Sequence, residues 1–221
     1  MQIVKKYMGT LTTYLFWKNI FDRAFALLAL VILSPFLIII AISIRIDTAG
    51  NPLFRQERVG KDGRRFILYK FRSMYINNDD SQYKALARKY VQENITLTRE
   101  ENGQDLYELL QKGRVTRVGS LLRRTNLDEL PQLINVLKGD MAIVGPRPDI
   151  PLAVEVYKEH HKQRLNIKQG LTGLWQISPG RRNISFDDIV RLDVEYIKRQ
   201  SLFLDIKIIF LTIYGMLRPT D

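Results

Sequence analysis

From Phe25 to Ile44 the chain is apolar apart from Ser34, Pro35 and Ser43. That length reaches the roughly 20 residues needed to span a bilayer. A cleavable signal peptide fits poorly, because the run is too long and no small-residue cleavage site separates it from the next basic block. The simplest reading is one spanning helix. Two features argue for a different path. Pro35 sits mid-segment, where it removes a backbone hydrogen bond and crowds the carbonyl of Val31; Ser34 can bond the backbone group so freed. Both flanks are also basic, with Lys5, Lys6, Lys18 and Arg23 before the segment and Arg45, Arg55 and Arg58 after it. The positive-inside rule then puts both ends on the cytoplasmic side. A helix that enters, breaks at Ser34-Pro35 and returns satisfies both features, and a proline-kinked span is the alternative.

The chain has 221 residues, enough for one domain plus a membrane anchor. With 34 Lys plus Arg against 23 Asp plus Glu, its net charge of +11 favours an anionic partner, whether lipid headgroups, nucleotide phosphates or nucleic acid. The absence of cysteine excludes disulfides and thiolate zinc sites. His160 and His161 fall in a Lys-Glu-His-His-Lys stretch and read as solvated helix residues.

Beyond the anchor, Pro52 to Val59 and Arg64 to Met74 are β-rich runs joined by Lys61-Asp62-Gly63, a hairpin signal. Residues 75 to 112 are polar and helical in character, with a loop near Thr98 to Gly103. Leu127, Leu130, Ile134 and Leu137 keep helical spacing, and Gly139 supplies a left-handed stop. Met141 to Val144 read as a short strand, Pro151 to Gln163 as a charged helix, and Gly170 to Gln176 as a turn-rich loop. Asp187 to Gln200 read as a helix. Leu202 to Leu217 is apolar but carries Asp205 and Lys207, which suits an interfacial or core-packing helix.

Asp128 and Glu129 are adjacent carboxylates at the start of the Leu127 helix. Thr125-Asn126-Leu127-Asp128 matches a capping pattern, so Asp128 could simply cap the helix. Alternatively the helix starts at Pro131, and the carboxylates lie at its mouth. In either register they face the positive end of the helix dipole, which favours the ionised form required of a metal ligand or phosphorus nucleophile. Arg147, locked between Pro146 and Pro148, is stiffly held and suited to bidentate phosphate recognition, or else marks a rigid surface turn. In Tyr69-Lys70-Phe71-Arg72 the basic pair shares one strand face and the aromatic pair the other. Lys70 and Arg72 then point toward an anion, unless this is an ordinary half-exposed strand.

Further stretches are Gln56-Glu57-Arg58-Val59-Gly60, Phe66 to Met74, Arg117-Val118-Gly119, Leu127 to Gln132 and Asn135 to Met141. Val144-Gly145-Pro146-Arg147-Pro148, Gly170 to Gln176 and Leu202 to Lys207 follow. In this order, from about residue 17 to 217, they resemble the bacterial sugar transferases, the monotopic polyprenyl-phosphate phosphoglycosyl transferases. The resemblance implies transfer of sugar-1-phosphate from a UDP-sugar to undecaprenyl (polyprenyl) phosphate, with release of UMP, as the first membrane step of glycan assembly. It makes Asp128 the nucleophile of a covalent phosphosugar intermediate and Glu129 its partner, helping it to hold Mg²⁺ or assisting proton movement. Lys70, Arg72, Pro146, Arg147, Pro148, Gln176 and Arg181 become substrate and phosphate contacts, and Ser34-Pro35 the re-entrant break. Thr172 to Gln176 look most like members handling galactose or glucose phosphate, and Pro179 interrupts the usual run into Gly180-Arg181.

Residues and resemblance together predict an α/β fold of mostly helical content. A re-entrant helix occupies residues 1–46. A small globular catalytic domain with a short β-hairpin and interfacial amphipathic helices occupies 47–221, at the cytoplasmic face of the bacterial inner membrane. The expected partners are a UDP-sugar, polyprenyl phosphate and anionic lipids, with a homodimer allowed and no nucleic acid. A non-enzymatic basic membrane-surface protein that gathers anionic lipids or nucleic acid is the competing class. It accounts for the charge and the anchor but not for Asp128-Glu129 or Gly145-Pro146-Arg147-Pro148.

Overall fold

The computed structural model describes residues 2–76, 81–96, 113–179 and 184–217. Its N-terminal element is one helix, α1 (Gln2–Asp47). Lys18, Asp22, Ala26, Ile40 and Ile44 are buried along it, with Ala29, Leu30, Leu37 and Ala41 partly buried against the same cores. These positions recur every three or four residues and define one face packed on the body. Phe16, Phe21, Phe25, Leu28, Ile32, Phe36 and Ile39 are exposed. The break expected at Ser34-Pro35 is not an interruption of the helix, which continues through it with the buried stripe in phase. The local chemistry explains the tolerance: Ser34 Oγ donates to the Val31 carbonyl at 2.8 Å, the group that proline leaves without its usual donor. Among the described residues α1 is the one helix long and apolar enough to cross a membrane, by length and composition. Lys18, counted above as a basic flank, is instead internally paired, 2.6 Å from Asp205 and 3.5 Å from Asp22.

Strands β1 (Leu53–Val59) and β2 (Arg65–Phe71) form the expected antiparallel hairpin, Leu53 opposite Phe71. Asp62 (φ 56°) and Gly63 (φ 75°) turn it. Next come α2 (Ser81–Glu93) and α3 (Arg117–Arg124), the latter capped by Thr116, whose Oγ1 accepts from the Gly119 amide at 2.9 Å. A 3-10 turn at Leu127–Glu129 leads into α4 (Gln132–Lys138), closed by Gly139 at φ 87°. Strands β3 (Ala142–Val144) and β4 (Gly170–Thr172) pair in parallel. The sequence reading had β4 as loop, because three residues are too few to show a period.

The charged helix expected over Pro151 to Gln163 is three short pieces: α5 (Pro151–Val154), α6 (Glu159–Lys162) and a 3-10 turn at Gln163–Leu165. Tyr157 breaks it by turning inward, its hydroxyl donating to Asp149 at 2.5 Å. His161 restarts it, because its Nδ1 accepts the Lys158 amide at 3.1 Å. That bond leaves the ring proton on Nε2, directed 2.7 Å to Asp187. His161 is therefore buried and structural, not solvated. The last two helices are α7 (Phe186–Arg199) and α8 (Leu202–Leu217). Ala26, Leu68, Leu133, Val136, Met141, Ile143, Val144, Tyr196 and Ile208 form the main core between α1, the strands, α4, α7 and α8. The fold is thus mostly helical with a short hairpin, as the sequence suggests. Arg181 and the loop near Thr98 to Gly103 lie outside the described residues.

Candidate active site

Asn135 brings the carboxylates to the hairpin. Fully buried on α4, it accepts the Tyr69 amide at 3.0 Å and donates to the Ile67 carbonyl at 2.7 Å, so its amide mimics one rung of a third strand on β2. That contact draws the Leu127–Glu129 turn toward Lys70. The capping reading of Asp128 fails here. Thr125 ends the preceding helix, and its hydroxyl donates backward to Leu121 and Leu122. Asn126 adopts a left-handed φ of 54°, and no side chain caps the following turn. The α-helix begins after Pro131, so both carboxylates stand at its mouth.

Glu129 and Arg147 face each other fork to fork: Arg147 Nη1 donates to Glu129 Oε2 at 3.0 Å and Nη2 donates to Oε1. Burial pushes the Glu129 carboxyl up, but Arg147, Lys70 and Arg58 more than offset it and hold it at about 2. Asp128 differs. It is buried, and among the described residues no hydrogen bond reaches its carboxylate. Burial and then the Glu129 charge push it above the ordinary carboxylate range, against Lys70, Arg123 and Arg147. The helix dipole expected to ionise both groups is therefore outweighed at Asp128. Lys70 is drawn down to about 8 by burial and by Arg58, with Arg147 adding to the effect and Glu129 and Asp128 opposing.

The Gly145 to Asp149 segment is stiffer than its prolines alone would make it, since each carbonyl from Pro146 to Asp149 is held. Gly170 N–H donates to Pro146 O (2.7 Å), Arg164 Nη2 to Arg147 O (3.1 Å), Arg58 Nη1 to Pro148 O (3.0 Å) and Val59 N–H to Asp149 O (2.9 Å). Gly170 is obligatory for the first of these, because a Cβ there would lie 2.1 Å from the Gly145 nitrogen. Arg58, Leu68, Lys70, Gln132, Arg147 and Pro148 then line a small cleft.

Two expected contacts fall elsewhere. Arg72 is buried at the end of α1, donating to Thr48 O (2.7 Å), Thr48 Oγ1 (2.8 Å) and Ala49 O (2.8 Å). It follows the last residue of β2, so strand alternation no longer sets its direction. Of the aromatic pair expected on the opposite face, Phe71 is buried in the core, whereas Tyr69 is only half-buried and lies beneath Lys138 Nζ at 5.4 Å. Gln176 sits on the loop behind Gly145 and donates to Leu171 O at 3.3 Å, outside the cleft lining.

A carboxylate that accepts no hydrogen bond from the described residues, beside a paired one and under three cations, is suited to attack on or binding of a phosphate ester. Residues 13–219 match the bacterial sugar transferase family. The chain belongs to that family. It is 41% identical over 209 residues to the galactosyl transferase CpsE of Streptococcus agalactiae, covering 94% of this chain and 44% of that one. It is 40% identical over 203 residues to the undecaprenyl-phosphate galactose phosphotransferase of Salmonella typhimurium, covering 92% and 41%. It is 37% identical over 196 residues to the exopolysaccharide production protein ExoY of Sinorhizobium fredii, covering 89% and 83%. This sugar transferase chain thus spans under half the length of the first two relatives and most of the third.

Sequence reasoning missed the residues that support the site. Arg58 falls among the basic flanks and in the matching stretch Gln56 to Gly60 but is given no role at the site there, although it orders Pro148. Arg164, 2% exposed, contacts Asp149, Tyr157, Asp193 and the Arg147 carbonyl. No local pattern marks either arginine, and their partners lie up to 90 residues away.

Proposed function

We propose that this chain transfers a hexose-1-phosphate from a UDP-sugar to a polyprenyl phosphate, in two steps through Asp128, and so begins assembly of a glycan. The observation that carries the reading is the division of labour in the dyad: Arg147 occupies Glu129, while Asp128 accepts no hydrogen bond from the described residues. An ionised Asp128 oxygen attacks the sugar-bearing phosphorus. The bond from that phosphorus to the bridging oxygen breaks, and UMP departs with the oxygen and its electron pair. The polyprenyl phosphate oxygen then attacks the same phosphorus and the bond to Asp128 breaks, which restores the carboxylate and yields polyprenyl-diphospho-sugar. Lys70 and Arg147 stand where charge develops on the leaving phosphate. The names of relatives include both galactose and glucose phosphotransferases, which supports either of these hexoses as the sugar.

Mg²⁺ fits the donor set. Asp128 and Glu129 offer hard oxygens with lone pairs to spare, and a bound diphosphate would complete an oxygen shell. When bound, the ion neutralises diphosphate charge. The exposed apolar faces of α1 and of α8 (Phe203, Ile206, Phe210, Ile213) support a monotopic placement on anionic lipid at the cytoplasmic face of the inner membrane. A protein that only gathers lipids has no use for a carboxylate that accepts no hydrogen bond from the described residues beside one held by an arginine.

The test is intact mass after mixing the purified protein with a panel of UDP-sugars and Mg²⁺, without polyprenyl phosphate. A phosphosugar adduct on the peptide holding Asp128, with one equivalent of UMP released, is the expected result. UMP formed only when the acceptor is present, with no adduct at any time, would replace the two-step route by direct transfer.

A further inference from the structure

Gln132, the first residue of α4, is 2% exposed, yet among the described residues its side-chain amide makes no hydrogen bond. An amide carries two donors and two acceptor sites, and the polar atoms of Gln132 are not among the buried side-chain atoms left without a partner, so they reach solvent. Gln169 shows the structural alternative in this same molecule. It is 1% exposed, and its Nε2 donates to the Arg164 carbonyl at 2.9 Å and the Ile167 carbonyl at 3.2 Å. Gln132 has no such carbonyls. It forms the wall of the cleft together with Arg58, Lys70, Arg147 and Pro148. Its amide is therefore open to a partner entering from the cleft, and the three cations lining it, Arg58, Lys70 and Arg147, select for an anion. An amide N–H adds a directed donor to that cationic ring without adding charge, which suits a phosphate oxygen between Lys70 and Arg147.

We propose that Gln132 is a substrate-binding residue whose side-chain N–H donates to a phosphate oxygen of the bound nucleoside diphosphate. The proposal rests on the function given above, and its test must be able to fail separately. Binding of UDP, which has no sugar to transfer, is measured by calorimetry on the full chain in detergent with Mg²⁺. The variants are Gln132→Met, which keeps length and removes polarity, and Gln132→Glu, which keeps length and removes both N–H donors. Loss of a hydrogen bond to a charged acceptor should weaken UDP binding about tenfold or more in Gln132→Met, and further in Gln132→Glu. Thermal stability of Gln132→Met should hold or rise, because a buried amide with no protein partner is replaced by an apolar chain. Unchanged UDP affinity in a folded variant, or no UDP binding by the wild type, would overturn the assignment. Should Gln132→Met not fold, Gln132→Glu carries the comparison. Failure of Asp128 to form an adduct while UDP binding still depends on Gln132 would remove the covalent route and leave this residue's role standing.

Discussion

Two arginine–carboxylate clusters lie back to back in this protein and are built differently. Arg164 is buried and reaches Asp149, Tyr157, Asp193 and the Arg147 carbonyl, with its guanidinium also over the Phe186 ring at 5.3 Å. One cation there serves four parts of the chain, and no carboxylate of the cluster stands apart from it. Arg147 is half-buried and sets its fork against the carboxylate of Glu129, while the neighbouring Asp128 accepts no hydrogen bond from the described residues. The first arrangement holds the fold. The second leaves one carboxylate with nearby cations but, among the described residues, no hydrogen bond, which a chain tolerates where a ligand or a reaction needs it. The two also connect, because Arg164 grips the backbone of the residue whose side chain grips Glu129.

The sharpest way to break this comparison is to neutralise one carboxylate. Asp128→Asn should lower UMP release by on the order of a thousandfold or more, since an amide cannot attack phosphorus. Its melting temperature should stay within a degree or two of wild type, because no hydrogen bond to the carboxylate is lost. A variant that keeps its activity would make Asp128 a bystander.

Arg164→Met should do the reverse. Removing one partner from a buried ionic cluster costs about 3–5 kcal/mol, which lowers the melting temperature by roughly 10 °C in a domain of this size. The surviving folded fraction should still form the phosphosugar adduct. Loss of the adduct at full stability would move Arg164 from scaffold to chemistry.

Arg147→Lys tests the fork itself. Lysine keeps the charge but not the paired donors, so kcat/KM should fall about tenfold or more, with roughly 1.5–3 kcal/mol lost at the charge-assisted bond. Unchanged turnover in the folded variant would reduce Arg147 to a turn residue.

The smallest effect is on pH. Lys70, held at about 8 in the free protein, loses its charge as pH rises through that value, so kcat/KM should decline on the alkaline side near pH 8. Lys70→Arg should flatten that limb, because guanidinium stays charged. A limb that persists in Lys70→Arg belongs to another group.

Several features were legible in the sequence because their causes are local. Asp62-Gly63 turns the hairpin, Gly139 stops α4, and Ser34 lies one residue before the proline whose freed carbonyl it bonds. Pro131 stands at the start of α4, one of the two registers the sequence allows, and the spacing of Leu130, Ile134 and Leu137 sets its phase. Each of these follows from backbone sterics or hydrogen bonds within about one helical turn.

What the tertiary structure decided lies at long range. The pattern around Asp128 fitted a cap and a nucleophile equally well, and only the backward turn of Thr125 separates the two. Lys70 and Arg72 look equivalent on a strand, yet β2 ends between them, sending one to the cleft and the other to the end of α1. Arg58 reaches Pro148 across 90 positions, and Asn135 reaches β2 across 66. A charged or amide side chain near the surface has many partners of similar energy in sequence terms, and burial against particular backbone carbonyls removes all but one. For that reason the family could be read from the motifs, while the pairing of Glu129 and the lack of a hydrogen bond to Asp128 among the described residues required the packed structure.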